Sequence, residues 1–230
     1  RLSGCASGES SGGLFLFALP AEKVWLYGTG QDMAGRECGA SLLFHGATSS
    51  CHAVDRKTAC RVLAMTIGFC LFKYFPHGGI QRDMMKIAKE CLRRGYAVRV
   101  YVIRWNAELP EDIDVQIVPV DALTNHRLYE RYAEWVHAHL ARHPVDLLMG
   151  LVKMPGLDVY YAGDSCYEEK ARTQRNGLYR LLPRYEHFSR FERSVFDRSA
   201  DTQILTISDV QTPFFRKHYQ TPVERFHPLP

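Results

Sequence analysis

From Met65 onward, short apolar runs alternate with stretches whose apolar residues recur every three or four positions. Residues 66–72 form a continuous apolar run, the pattern of a strand buried on both faces. Residues 73–79 read as a loop holding Pro76 and the pair Gly78-Gly79. Across residues 80–94, Ile80, Met84, Ile87, Ala88, Cys91 and Leu92 fall on one helical face, and Gly95 ends the helix. The same patterning predicts strands at 98–103, 115–120, 146–152, 158–162 and 203–207. It predicts a helix over 125–143 that stops before Pro144, two helical stretches between 162 and 203, and a helix from Ser208, a good N-cap residue. Strands spaced by helices imply an α/β domain with a doubly wound, mostly parallel sheet covered on both faces. Ligands of such sheets bind in the crevice beyond the carboxyl ends of the strands.

Residues 1–64 have a different character. They are rich in Gly, Ser, Ala and Cys and lack sustained periodicity. The chain opens on Arg1, and Met65 is the candidate start of the patterned domain. This divides the chain into 1–64, read as upstream sequence or a poorly ordered extension, and a domain over 65–230. The apolar run at 14–20 is too short to cross a bilayer.

Candidate chemistry clusters at the predicted strand ends. Gly78 and Gly79 let the backbone approach a ligand, and the helix behind them points N–H groups and partial positive charge at the same place. A diphosphate suits that spot, and a tight turn without a ligand is the alternative. The loop is neither GxGxxG nor a Walker loop, so it does not favour NAD or ATP. Asp83 is assigned to the first helical turn, either accepting from sugar hydroxyls or complementing the helix dipole. Asp164 follows the predicted strand 158–162, where a carboxylate could orient or deprotonate a hydroxyl, or cap the next helix. Lys153 and Asp158 flank a Pro-Gly turn, from which they could reach the cleft, and are read as solvent-facing loop residues ahead of that alternative.

Charge enters through one segment. Residues 170–198 hold eight basic and three acidic residues, with Leu178, Leu181, Leu182, Tyr185, Phe188, Phe191 and Val195 at helical spacing. The segment reads as one amphipathic helix kinked near Pro183, with Arg175, Arg180, Arg184, Arg190 and Arg193 on its polar side. Such a helix can lie on an anionic membrane, or simply pack its apolar stripe on the sheet. It carries no RNA-binding signature, and the formal net charge of +4 does not by itself call for nucleic acid. The 7 cysteines are odd in number and show no CxxC pair, which favours a reduced compartment. The ten histidines show no metal spacing, and His137 and His139 do not share a helix face. No metal is expected.

FCLFKYFPHGGIQRDMMKIA (69–88), TNH (124–126), KMPGLDVYYAGDSCYEEK (153–170) and FRKHYQTPVERF (215–226) resemble the lipopolysaccharide core glucosyltransferase I family, retaining glycosyltransferases of family 4 with the GT-B architecture. The resemblance implies that 65–230 is the Rossmann-like N-terminal, acceptor-side domain, without the C-terminal donor domain. It implies transfer of glucose from UDP-glucose, as donor substrate rather than cofactor, to an inner-core heptose of lipopolysaccharide. The setting it implies is the cytoplasmic face of the bacterial inner membrane. Gly78, Gly79 and Asp83 would line the cleft near the donor, and Asp164 would face the acceptor hydroxyl. A chain lacking the donor domain would be inactive, since charge stabilisation of the leaving diphosphate is the largest catalytic contribution. A family 4 transferase using another sugar and a non-catalytic membrane-surface module are the alternatives.

Overall fold

The computed structural model describes residues 65–229, together with the backbone of two short strands near the N-terminus. Those strands, β1 (Leu16–Ala18) and β2 (Val24–Leu26), pair antiparallel with Leu16 opposite Leu26. The chain separates into two units, Arg1–Asp55 and Arg56–Pro230. The reading of 1–64 as one upstream segment lies outside the described residues.

In the second unit the apolar runs become strands of one sheet. They are β3 (Thr66–Cys70), β5 (Ala97–Val102), β7 (Asp114–Ile117), β8 (Leu147–Gly150), β9 (Val159–Ala162), β10 (Gln203–Thr206) and β11 (Phe226–Pro228). Their spatial order is β11-β10-β9-β8-β3-β5-β7, and every pairing is parallel. The chain enters this sheet at β3, builds outward through β5 and β7, returns to β8 on the other side of β3, and builds outward again. The order therefore reverses between β3 and β8, and the crevice beyond their carboxyl ends is the ligand position of this architecture. All four residues of β8 are buried, as expected for a strand covered on both faces.

Helix α1 (Gly79–Arg93) connects β3 to β5 and ends as the sequence predicts. Gly95 has φ 85°, its N–H donates to the Leu92 carbonyl at 2.9 Å, and Tyr96 N–H donates to the Cys91 carbonyl at 3.0 Å. This is a Schellman cap, which needs the left-handed residue that glycine supplies. Helix α2 (Asn125–Leu140) carries the chain back from β7 to β8. Helices α3 (Tyr167–Thr173) and α4 (Pro183–Phe196) join β9 to β10, and α5 (Thr212–Tyr219) joins β10 to β11. On β9, Tyr161 reaches Asp83 of α1 while the neighbouring Tyr160 packs edge-on against Phe196 of α4. Successive strand residues face opposite ways, so α1 and α4 cover opposite faces of the sheet. The core on the α4 side centres on Tyr101, Tyr132, Tyr160, Phe196 and Phe215, with Phe196 and Phe215 stacked at 3.7 Å.

Three differences from the sequence reading have local causes. The predicted amphipathic helix over 170–198 is three pieces: α3, a 3-10 turn at Gly177–Leu181, and α4. Asn176-Gly177 breaks it, and Pro183 begins α4 rather than kinking a longer helix, because proline suits the first helical position. Ser208 caps a 3-10 turn at Asp209–Gln211, and the α-helix starts only at Thr212. A two-stranded parallel pair, β4 (Lys73–Tyr74) with β6 (Arg104–Trp105), forms within loops that carry no strand periodicity.

Histidine 187 on α4 is 5% exposed, and neither ring nitrogen has a hydrogen-bond partner. Burial lowers its pKa to about 4, with the Glu130 carboxylate opposing and Arg190 and His126 reinforcing. The unfolded chain takes up this proton near pH 6.5 and the folded chain only near 4, so stability is lost as pH falls between those values. We expect about 2 kcal/mol of stability to disappear from pH 6.5 to 4.5 and the loss to be smaller in His187→Phe. Urea midpoints measured across that range check it; identical slopes for the two proteins would rule it out.

Candidate functional site

The glycine loop leaves β3 at the strand-order reversal. Gly78 is there for a packing reason: a Cβ would lie 1.9 Å from Gln81 Oε1 and 2.8 Å from Phe75 Cε2. Gln81 in turn donates through Nε2 to the Lys73 carbonyl at 3.1 Å, which closes the loop on itself. Gly79 differs. A Cβ there would meet nothing within 4 Å, so open space lies above the start of α1. Among the described residues no side chain caps this helix, which leaves its first N–H groups for solvent or a ligand.

Asp83 is the fifth residue of α1 and not in its first turn, which holds no acidic residue. The dipole role weighed from the sequence therefore does not apply. Its carboxylate is half-buried and accepts from Tyr161 Oη at 2.9 Å, with Lys86 at 3.9 Å. Beside this contact, a Cβ on Gly163 would lie 2.7 Å from Ile80 Cδ1. Two sequence-distant pieces, the start of α1 and the end of β9, thus meet directly.

Asp164 follows at the carboxyl end of β9. It is exposed and, among the described residues, makes no hydrogen bond or ion pair. It does not cap α3. That helix starts at Tyr167, and the acceptor for its first N–H groups comes from another element. Glu192 of α4, with no exposed side-chain surface, accepts from Tyr167 N at 2.7 Å and Glu168 N at 3.0 Å. The same carboxylate accepts from Tyr219 Oη of α5 at 2.8 Å and from Lys153 Nζ at 2.5 Å. Lys153 Nζ also donates to the Ser165 carbonyl at 2.9 Å, and Gln211 Oε1 accepts from Cys166 N at 2.9 Å. Burial, with the Glu192 charge adding to it, pushes the Cys166 thiol up to about 12, so this cysteine stays protonated.

Lys153 is thus not the solvent-facing loop residue the sequence suggests. Its side chain is 12% exposed and lies over the rings of Phe215 and Phe196 at 5.5 and 5.9 Å. Asp158, its companion across the turn, accepts from Leu148 N at 2.7 Å. The only sequence sign of Glu192 is an acid set between Phe191 and Val195 on the apolar face of α4.

The arginines do not share one face. Arg175, Arg180 and Arg184 accompany Leu178, Leu181 and Leu182, which are 71%, 79% and 48% exposed. Arg190 pairs with Glu130 of α2 at 2.5 Å, and Arg193 lies in the last turn of α4. His137 Nε2 donates to the Pro155 carbonyl while His139 meets Tyr101 Oη, so the two point apart as their spacing requires. No described helix is long and apolar enough to cross a membrane.

This fold defines a Rossmann-like α/β domain whose strand order reverses between β3 and β8. Over 166 residues, 72% of the chain, it is 47% identical to the lipopolysaccharide glucosyltransferase WaaG of Escherichia coli (strain K12) and is its homologue. A crystal structure of WaaG, a glycosyltransferase involved in lipopolysaccharide biosynthesis, superposes with a TM-score of 0.70 over 71% of the chain, again at 47% identity. The chain spans 44% of the length of each. No family model matches the chain.

Replacing Lys153 by Met leaves the buried Glu192 carboxylate without its cation. We expect a loss of about 3–5 kcal/mol in urea unfolding, partly recovered in the Lys153→Met/Glu192→Gln double variant. A single variant as stable as the parent would show that the pair does not hold these elements together.

Proposed function

We propose that residues 65–230 are the N-terminal, acceptor-side domain of a GT-B glycosyltransferase, set apart from residues 1–64. In this reading the whole enzyme transfers glucose from UDP-glucose to an inner-core heptose of lipopolysaccharide with retention of configuration. The observation that carries it is 47% identity across the segments that hold the glycine loop and Asp164. The open backbone at Gly79 receives the donor diphosphate, where helix N–H groups and partial positive charge suit an anion. Asp83, held by Tyr161, accepts from sugar hydroxyls of the donor. Asp164, exposed and unpaired, accepts from the acceptor hydroxyl and orients it for attack. A donor-side domain supplies the charge that stabilises departing UDP.

In a protein carrying both halves, Asp164→Asn should lower glucosyl transfer from UDP-glucose by roughly 10²–10⁴-fold while the thermal midpoint stays unchanged. Parental turnover in that variant would remove Asp164 from the site.

The acceptor is a membrane lipid in this reading, and the exposed segment 178–182 is the docking edge. Three leucines enter the headgroup boundary while Arg175, Arg180 and Arg184 meet anionic headgroups at the cytoplasmic face of the inner membrane. Arg193 reinforces the contact more weakly, and Arg190 is already engaged by Glu130. Sedimentation with vesicles containing anionic lipid should pull down the chain, and neutral vesicles should not. The Leu178→Ser/Leu181→Ser variant should lose most of the bound fraction; equal binding to both vesicle types would dismiss the docking edge.

A further inference from the structure

Between Asp164 and the exposed leucines runs a continuous line of aromatic rings. Phe72, just past β3, stacks on Tyr129 of α2 with centroids 3.7 Å apart and planes 6° apart. Tyr129 meets Phe188 of α4 edge-on at 6.0 Å, and Phe188 meets Tyr167 of α3 at 5.4 Å. Tyr167 then meets Tyr185 at 6.1 Å, and Tyr185 meets Tyr179 at 6.2 Å. The Tyr167 and Tyr179 hydroxyls are 2.8 Å apart. All six residues are half-buried, neither sealed in the core nor free in solvent.

Both ends of the line are anchored in features already described. At the inner end, Phe72 follows the carboxyl end of β3, and Tyr167 lies three residues past Asp164, at the start of α3. At the outer end, Tyr179 adjoins Leu178 and Leu181. Two cations flank the line: the Arg184 guanidinium lies 5.7 Å from the centroid of Phe188, and that of Arg175 5.5 Å from Tyr179.

Tyr132 and Tyr160 are sealed in the core, whereas these six rings keep partial exposure. A row of partly covered ring faces with a few placed polar groups is the composition of a ligand-binding groove. The C–H faces of pyranose rings pack on aromatic faces, and guanidinium groups pair with phosphate or carboxylate substituents. We propose that this line is a track for the saccharide portion of an anionic, membrane-anchored acceptor, running from the lipid edge at residues 178–182 to Asp164. The inference rests on the acceptor-side reading given above and adds to it a path for the sugar chain.

The test uses the whole 230-residue chain, labelled at its aromatic carbons, titrated with a deacylated lipopolysaccharide inner-core oligosaccharide. Saturable shifts at Tyr129, Tyr167 and Phe188 are expected, while Trp135, on another side of α2, stays unperturbed. By calorimetry, Tyr167→Leu/Tyr179→Leu should raise Kd by about tenfold. Binding that shifts only other residues and keeps its Kd in the variant would overturn the track and leave the acceptor-side reading standing. No binding of the oligosaccharide at all would overturn both. The shift map of the unmutated chain decides the matter even where the double variant folds poorly.

Discussion

A carboxylate fully withdrawn from water must find its partners inside the protein, and Glu192 finds them on three other elements, with the Cys166 thiol donating as well. Lys153 arrives from the loop after β8, the Tyr167 and Glu168 amides from the start of α3, and the Tyr219 hydroxyl from α5. An unpaired charge at that depth would cost several kcal/mol, so these elements are held to a common position. The start of α3 is therefore capped by a side chain on α4 and not by its own neighbours. The turn before it, which carries Asp164, inherits that placement through Lys153 at Ser165 and Gln211 at Cys166.

This arrangement gives Asp83 and Asp164 unlike surroundings. Asp83 is half-buried, and its orientation is set by the hydrogen bond from Tyr161. Asp164 stands exposed on a braced turn with its acceptor capacity free. One fold can give two acids different tasks by such differences in environment. The two glycines divide in the same way. Gly78 makes room for the protein's own Gln81 and Phe75, whereas Gly79 leaves room for something else.

The Arg-rich stretch separates by what each guanidinium already touches. Arg172 is held by Glu168 and Arg190 by Glu130, so neither is a free surface charge. Arg175 and Arg184 lie over aromatic rings beside an exposed apolar turn. A formal count of charge along the sequence treats all of these alike. Their partners in space leave a smaller basic apolar edge at one end of the aromatic line.

Periodicity along the chain was enough for the class of fold, because a strand buried on both faces and an amphipathic helix each impose a local pattern. The parallel sheet, the glycine cap of α1 and the positions of Gly78, Gly79 and Asp164 at strand ends could be read in that way. Strand order could not, since hydrogen bonding between β8 and β3 joins residues about eighty positions apart, as Asp146 to Thr66 shows. The fates of Lys153 and Glu192 were equally hidden. A charged residue in a sequence looks solvated until the elements that enclose it are known. The break of the long amphipathic stretch at Asn176-Gly177 and Pro183 was signalled by those residues, but the helical spacing of the leucines masked it. Only tertiary packing decided which of those apolar residues were buried, because α4 had a sheet to lie against and residues 178–182 did not.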